Sequence, residues 1–521
     1  MGAKRRRRRF YTLRDERGRP SGPCIFLEVA SATATASGEP PVPTTTRRLH
    51  IQVPDEPVLA QGMRDIQSEL KLPSAFPPEV EAAAARAAAQ PRLPELDRTD
   101  LPLVTIDPPE SMDLDQALYV ERHGAGHRVY YAIADVAAFV SAGDPVDLEA
   151  NRRGETLYGA DAKIPLHPKV LSENATSLLP GQLRPALLWT IELDATGEIA
   201  GIDVRRARVT SRAKLDYAGV QRSIDAGGAD PMWSVLREIG ERRKQREQAR
   251  GGVSLPLPEQ EVDVVDGRWS LAFRARLAVE DWNEQISLLT GMAAAQLMVQ
   301  AKIGLLRTLP EPDPRDIARL RLTAKALAID WPIELGYAGF IRSLDPSKDT
   351  NVAMLTACTT VLRGAGYVAF NGALPAQPMQ SAIAAEYTHV TAPLRRLVDR
   401  YTGEVCVALC AQQPVPAWAL SALAGLPATM QASAQRAHQY EKAVLDLAEA
   451  AVLAPRVGET FSGAIVEVAH GDPARGTVIV RDPAIEAGVS STSALPLGAE
   501  VRVTLVEADP IKRVTRFELA R

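Results

Sequence analysis

The spacing of apolar positions changes several times along the chain. In "LAQGMRDIQSELKL" (59–72) the apolar residues recur at helical intervals, and "PPEVEAAAARAAAQ" (77–90) opens on proline and acids before an alanine run. Both patterns predict helices within residues 59–89. The Pro-rich "PRLPELDRTDLPL" then joins this small helical module to a different texture. From residue 100 to about 220 the runs are short and β-like, as in "HRVYYAIADVAAFV". "ALLWTIELDATGEIAGIDVRRARV" predicts a hairpin turning at "DATGE". Helical patterns return at 230–250, 277–308, 314–328 and most of 380–453. Strands followed by helices predict one mixed α+β domain of roughly 350 residues. After "APRVG", five short alternating segments separated by Gly, Pro and Asp fill the remaining stretch. Five strands of that length suit a small closed barrel of the OB type. The predicted organisation is a basic tail and linker at 1–46, a helical module at 47–97, a large α+β domain at 98–453, and a five-stranded OB-type barrel at 454–521.

Composition changes this picture little. The 521 residues are 46% hydrophobic and 24% charged with a net charge of −4, which is ordinary for a globular protein. A local basic lining can still bind a polyanion when the total charge is slightly negative. The start, "MGAKRRRRRF", is basic, but no apolar segment or cleavage site follows it as in a signal peptide. Residues 31–46 are Ser/Thr/Pro-rich and read as linker, so order is expected from about Arg47. No apolar run approaches the length of a membrane span, and no membrane contact is expected. The four cysteines, Cys24, Cys358, Cys406 and Cys410, form no C-x-x-C pair or zinc spacing, so a reduced, cytoplasmic protein is expected. Cys406 and Cys410, one helical turn apart, read as packing residues.

The densest chemistry lies in "TIDPPESMDLDQAL" (105–118), where Asp107, Glu110, Asp113 and Asp115 crowd ahead of Gln116. Clustered carboxylates repel and raise one another's pKa values, so a compensating cation is expected. An EF-hand loop is excluded, because "DPPESMDLDQAL" fails its third, sixth and twelfth positions. Spacing alone leaves two readings equal: a hard-cation site, or an acidic turn whose side chains cap backbone N–H groups.

The stretch "TIDPPESMDLDQAL", followed by "AIADVAAFVSAGDPVDLEANRRGETLY", "KIPLHPKVLSENATSLLPGQLRPAL", "VEDWNEQISLLTGMAAA" and "YTHVTAPLRRLVDR", resembles in order the motifs of the RNB catalytic domain of the ribonuclease II and ribonuclease R family. The resemblance covers roughly residues 98–450, and the terminal barrel is similar to the RNA-binding OB domain that follows RNB domains. It implies a mixed α/β fold and Mg2+-dependent, processive 3′→5′ hydrolysis of single-stranded RNA to nucleoside 5′-monophosphates, with Mn2+ as the alternative ion. No obligate protein partner is implied.

Carried over by motif, Asp107, Asp113 and Asp115 match three metal-binding aspartates of the family. Asp115 matches the one on which catalysis depends most. Gln116 replaces the fourth; its amide oxygen can ligate, but it brings no charge. Arg395 matches the arginine at the scissile phosphate, and a permanently charged guanidinium suits that task. Tyr158 matches the tyrosine that stacks on a nucleotide, and Glu280 and Glu441 align with acids at the terminal ribose. Arg396 is expected to pair with an acid. The chain departs from the family after its arginine motif, where Leu397, Gly403 and Glu404 stand in place of an aromatic and a His-Arg pair. No cold-shock-type barrels precede the catalytic region. Gln116 and the altered arginine motif keep a second reading open, a catalytically weakened or inactive RNA-binding protein on the same fold. Arg475, Arg481, Lys512 and Arg513 are the barrel's candidate backbone contacts, and the charged run 237–250 reads as a solvated helix face.

Overall fold

The computed structural model describes residues 57–520 apart from 74, 160–162, 228–229, 257–258, 266–267, 275 and 481. The basic N-terminal run, the linker at 31–46, the start of order near Arg47, Cys24 and Arg481 lie outside the described residues.

A six-stranded sheet forms the centre, in the spatial order Ile199–Thr210, Leu183–Leu193, Gly126–Ala134, Gln116–His123, Val104–Ile106, Ala213–Leu215. All neighbours are antiparallel except the last pair. The strand Gly126–Ala134 is covered on both faces, which is why its sequence is nearly continuously apolar. Tyr131 and Ile133 join a core with Trp189, Trp282 and Ile286 under the helices Pro231–Arg250, Ala278–Ala301 and Leu397–Cys410. Tyr130 and Ala132 point the other way, into a core with Val80 and Ala84 of the helix Pro78–Ala89. Alternate side chains of one strand therefore tie the small helical module and the large helices to a single sheet.

The helix expected at 277–308 stops early. It spans Ala278–Ala301, Lys302 turns left-handed at φ 56°, and Ile303–Thr308 pairs as a strand with Gly366–Asn371. A short apolar run such as "IGLLRT" carries no period that separates strand from helix, and Gly304 at φ 151° suits the break. The charged run 237–250 also departs from expectation. Arg243 is 1% exposed, Lys244 pairs with Asp281 at 2.8 Å, and Arg237 lies over the Trp282 ring. Long basic stems bury well when their heads find partners.

Helix Ala278–Ala301 approaches the start of the arginine motif at Gly291. A Cβ there would lie 2.1 Å from Tyr387 Cε2 and 2.6 Å from the Thr388 carbonyl oxygen. Ring and backbone cannot both yield. Gly291→Ala is expected to destabilise the protein by about 1–3 kcal/mol, the usual cost of overpacking. A lowered denaturant midpoint at unchanged m-value would register it, and an unshifted midpoint would contradict the packing.

At the C-terminus, Thr460–Val468, Arg475–Val480, Ile485–Ser490, Glu500–Asp509 and Val514–Leu519 close into a barrel in which the fifth strand lies between the third and the fourth. This is OB topology, as expected. Its interior shares a core with the helix Leu426–Leu453 and with Leu59, Met63 and Ile66 of the helix Pro57–Glu69. Phe461 and Phe517 meet edge to face at 5.8 Å and are both buried. Neither presents a face for stacking. Arg475, Lys512 and Arg513 pair with Asp472, Asp509 and Glu69. Among the described residues no helix is long and apolar enough to cross a membrane.

Candidate active site

The acidic loop leaves the sheet where two parallel strands end. Asp107 N–H donates to the Leu215 carbonyl at 3.0 Å, the last bond of that ladder. Residues 108–114 then arch outward and are sewn to the segment after a π-helical turn, Leu171–Ala175. Leu114 N–H donates to Ser177 Oγ, Ser177 Oγ–H donates to the Met112 carbonyl, and Leu178 N–H donates to the Leu114 carbonyl. The next strand begins at Gln116, opposite Ile133, and Asp115 is fixed by the Ala134 N–H on its carbonyl at 2.9 Å. The carboxylates are thus carried by a loop held at both ends and in the middle.

Asp115 is 5% exposed. Its Oδ1 accepts the Leu394 N–H at 2.7 Å, and its Oδ2 lies 3.6 Å from Arg395 Nε. Burial pushes this carboxyl well above the usual carboxylate range, against the opposing pull of Arg395 and the Leu394 N–H. Arg395 itself is partly open, its side chain 38% exposed, and among the described residues its Nε has no hydrogen-bond partner. Arg396 is spoken for: Nε and Nη2 donate to Asp399 at 3.0 and 2.9 Å. The two adjacent arginines therefore differ in kind. One is locked into the fold, and the other faces the acidic loop with donor capacity left.

Asp113 meets Lys163 Nζ at 2.7 Å, and the same ammonium reaches Glu173 at 3.1 Å. Lys163 lies directly opposite Tyr158 in the two-stranded ribbon Leu157–Tyr158 and Lys163–Ile164. Cross-strand partners share a face, so ring and ammonium present together. Tyr158 is 37% exposed. Burial raises its phenol pKa, and the charges of Arg395, Asp113, Asp115 and Lys163 act on it.

Gln116 uses both ends of its amide. Nε2 donates to the Thr391 carbonyl at 2.7 Å, and Oε1 accepts the Tyr131 hydroxyl at 2.8 Å, leaving one lone pair on that oxygen. Asp107 acts on the same Tyr131 through its charge. Gln116 thereby ties the acidic loop to the segment that carries Arg395. The departures noted after the arginine motif are structural: Glu404 pairs with Arg206, and a Cβ at position 403 would press on Leu187 at 2.7 Å.

Glu280 and Glu441 stand on flanking helices. Glu280, 5% exposed, accepts the Leu277 N–H at 3.2 Å in the first turn of its helix and lies 3.8 Å from Arg276. Glu441 sits on the helix Leu426–Leu453, where burial and then the neighbouring Glu155 push its carboxyl up to about 7. Glu155 pairs backbone to backbone with Arg396. A carboxyl raised from 4.5 in this way costs stability as it ionises, so stability falls as pH rises from about 4.5 to 7 and then levels off. Glu441→Gln removes that cost. Its thermal midpoint should match the parent's near pH 4.5 and exceed it increasingly up to pH 7, and an equal gap at every pH would contradict the assignment.

The loop offers hard oxygens, and the poorly compensated charge of buried Asp115 suits a divalent cation. Yet among the described residues no group of three or more His, Cys, Asp or Glu side chains is placed to hold one. Lys163 on Asp113, the Leu394 N–H on Asp115 and Tyr131 on Gln116 already use donors the loop would lend. The donor set fits one hard ion in chemistry. It does not fit a pair. Sequence motifs do not single out Lys163 and Glu173; the one available signal is a lysine at the head of the mostly apolar stretch "KIPLHP".

Residues 96–409 match the model of the RNB domain, and residues 459–520 match the RNase II-type exonuclease C-terminal S1 domain. Ribonuclease R of Escherichia coli (strain K12) is 26% identical over 433 residues, which cover 76% of this chain and 51% of that protein. The chain spans about half the length of the curated relatives it matches. The structure of Mycoplasma genitalium RNase R with ribose-methylated single-stranded RNA superposes with a TM-score of 0.78 at 20% identity, over 89% of this chain and 78% of the other. Yeast Ssd1, a pseudonuclease, superposes with a TM-score of 0.66 at 16% identity, over 86% of this chain and 57% of the other. At those identities the superpositions speak for fold alone. With the RNB match spanning more than half of the sequence and the S1 barrel following it, the chain belongs to the RNB family of ribonuclease II type.

Proposed function

We propose that this protein is a cytoplasmic 3′→5′ exoribonuclease that hydrolyses single-stranded RNA to nucleoside 5′-monophosphates with Mg2+, Mn2+ serving as substitute. The observation that carries this reading is the meeting of buried Asp115, partly open Arg395 and solvent-facing Tyr158 at the acidic loop. A bound divalent ion, held by Asp107, Asp113, Asp115 and the remaining lone pair of Gln116, would neutralise phosphoryl charge and lower the pKa of a water. The protein's own groups do the rest. Arg395 donates to a non-bridging oxygen of the scissile phosphate, where its charge counts most as that oxygen gains electron density. The Leu394 N–H holds the Asp115 carboxylate in one orientation, with Oδ2 on the side of Arg395. Water oxygen bonds to phosphorus as the phosphorus–O3′ bond breaks, releasing the terminal nucleotide and leaving a new 3′-hydroxyl. Tyr158 stacks on a base, a contact that tolerates any sequence and is typically worth about 1–3 kcal/mol. Glu280 and Glu441 are the candidates for accepting the ribose 2′-hydroxyl, which separates RNA from DNA.

The second reading, an RNA-binding protein without hydrolysis, is favoured by one feature: Lys163 is seated on Asp113 beside a glutamine. Incubation of 5′-labelled oligo(A) and its DNA counterpart across a Mg2+ series decides between them. The nuclease reading expects labelled RNA to shorten from its 3′ end with mononucleotide release, and DNA to persist. Full-length RNA at every Mg2+ concentration, with binding still measurable by anisotropy, would establish the second reading.

A further inference from the structure

Phosphodiester hydrolases commonly use two divalent ions about 3.5–4 Å apart, one on the attacking oxygen and one on the leaving oxygen. The charges here are arranged for fewer. Around the loop stand the five carboxylates Asp107, Glu110, Asp113, Asp115 and Glu173, with three fixed cations, Lys163, Arg395 and Lys214, the last donating to the Pro109 carbonyl at 2.6 Å. Gln116 adds none. The surplus over these groups is two negative charges, which a single divalent ion cancels; a second would leave the site net positive.

We propose that Lys163 is a built-in cation of the acidic loop, its ammonium standing in for one of two divalent ions. This rests on the hydrolytic reading of the site. Three features of Lys163 carry it. The ammonium bridges Asp113 at 2.7 Å and Glu173 at 3.1 Å, so it is held from two sides, one of them the π-helical turn that precedes the bonds sewing the acidic loop in place. Its position in the ribbon is fixed by pairing with Tyr158, the ring beside Asp115 and Arg395. Its side chain is 21% exposed, which leaves the charge poorly screened by water. Gln116 completes the logic. A fourth carboxylate would call for more positive charge than Lys163 and one ion supply, whereas an amide bonded to Tyr131 and Thr391 calls for none. Lys163 acts through Asp113 and through charge, so it is a positioning residue.

Mn2+ alone, titrated into the full chain and followed by electron paramagnetic resonance of the free ion, tests this without reference to hydrolysis. The parent should bind one Mn2+ per chain at the loop. Lys163→Met should gain a second ion or tighten the first by about tenfold or more, since a unit charge repelling the ion at close range is removed. Lys163→Met with Gln116→Asp should strengthen the second ion further, and Lys163→Arg, which keeps the charge, should follow the parent. Two ions or none on the parent would overturn the proposal whatever the variants do, as would a Lys163→Met titration superimposable on the parent's. The single-ion pattern in a chain that fails to cut RNA would support the built-in cation while removing the nuclease reading.

Discussion

Asp115→Asn is expected to lower RNA hydrolysis on the order of 10⁴-fold, the scale on which loss of one member of a concerted catalytic set is felt. The fold should survive, because the amide oxygen of asparagine can take the Leu394 N–H that Oδ1 now accepts at 2.7 Å. Stability should rise or hold. The carboxyl is held well above its ordinary 3.8 by burial, so ionising it in the folded protein costs stability that is absent at low pH and accrues as pH rises. The uncharged amide removes that cost at neutral pH. RNA affinity should stay within severalfold of the parent or tighten, since a negative charge facing phosphate has gone. Single-turnover rates, thermal midpoints and anisotropy on one preparation separate these effects. Turnover within tenfold of the parent's would remove Asp115 from the chemistry. A collapsed thermal midpoint would show instead that its charge holds the fold.

The parts of this molecule that could be read from sequence are those whose signal is local. The five barrel strands alternate apolar and polar over short runs bounded by Gly, Pro and Asp, and each lies where its run predicts. The stretch around Gly126–Ala134 also reads as strand, and its unbroken apolar run reflects cores on both faces. The helical pattern over 277–308 runs into Ile303–Thr308 because six residues do not fix a period, and only the pairing with Gly366–Asn371 makes that segment a strand. The site divides in the same way. The motifs pointed to Asp113, Asp115, Tyr158 and Arg395, and the structure brings these four into one electrostatic neighbourhood. What the motifs could not carry is compensation. Lys163 on Asp113, Gln116 on the Thr391 carbonyl and Arg206 on Glu404 join residues far apart in the chain, and no spacing rule announces such partners. The same holds for the buried pairs of Pro231–Arg250, where a charged sequence proved to be packed rather than solvated.

Arg395→Ala is expected to lower the rate of the chemical step by about 10²–10³-fold, the usual loss when one preorganised donor to a developing oxyanion is removed. KM should move less than kcat, because the interaction strengthens as charge builds on the phosphoryl oxygens. A second readout separates this role from a structural one. Arg395 Nε lies 3.6 Å from Asp115 Oδ2, and its charge is the strongest influence opposing the upward push of burial on that carboxyl. Without the guanidinium, Asp115 ionises only at higher pH. The acid limb of the pH–rate profile should therefore shift upward in Arg395→Ala, while Arg395→Lys, which restores a charge but not the planar fork, should recover the limb more fully than the rate. Arg396→Ala should behave differently, because its partner Asp399 also accepts the Ala392 N–H that shapes the turn before Arg395. Losing Arg396 should lower the thermal midpoint first and the rate as a consequence. An Arg395→Ala profile that falls in height with its acid limb unmoved would mean that the arginine serves the phosphate without tuning Asp115. A profile unchanged in both respects would place it among the fold's ordinary surface charges.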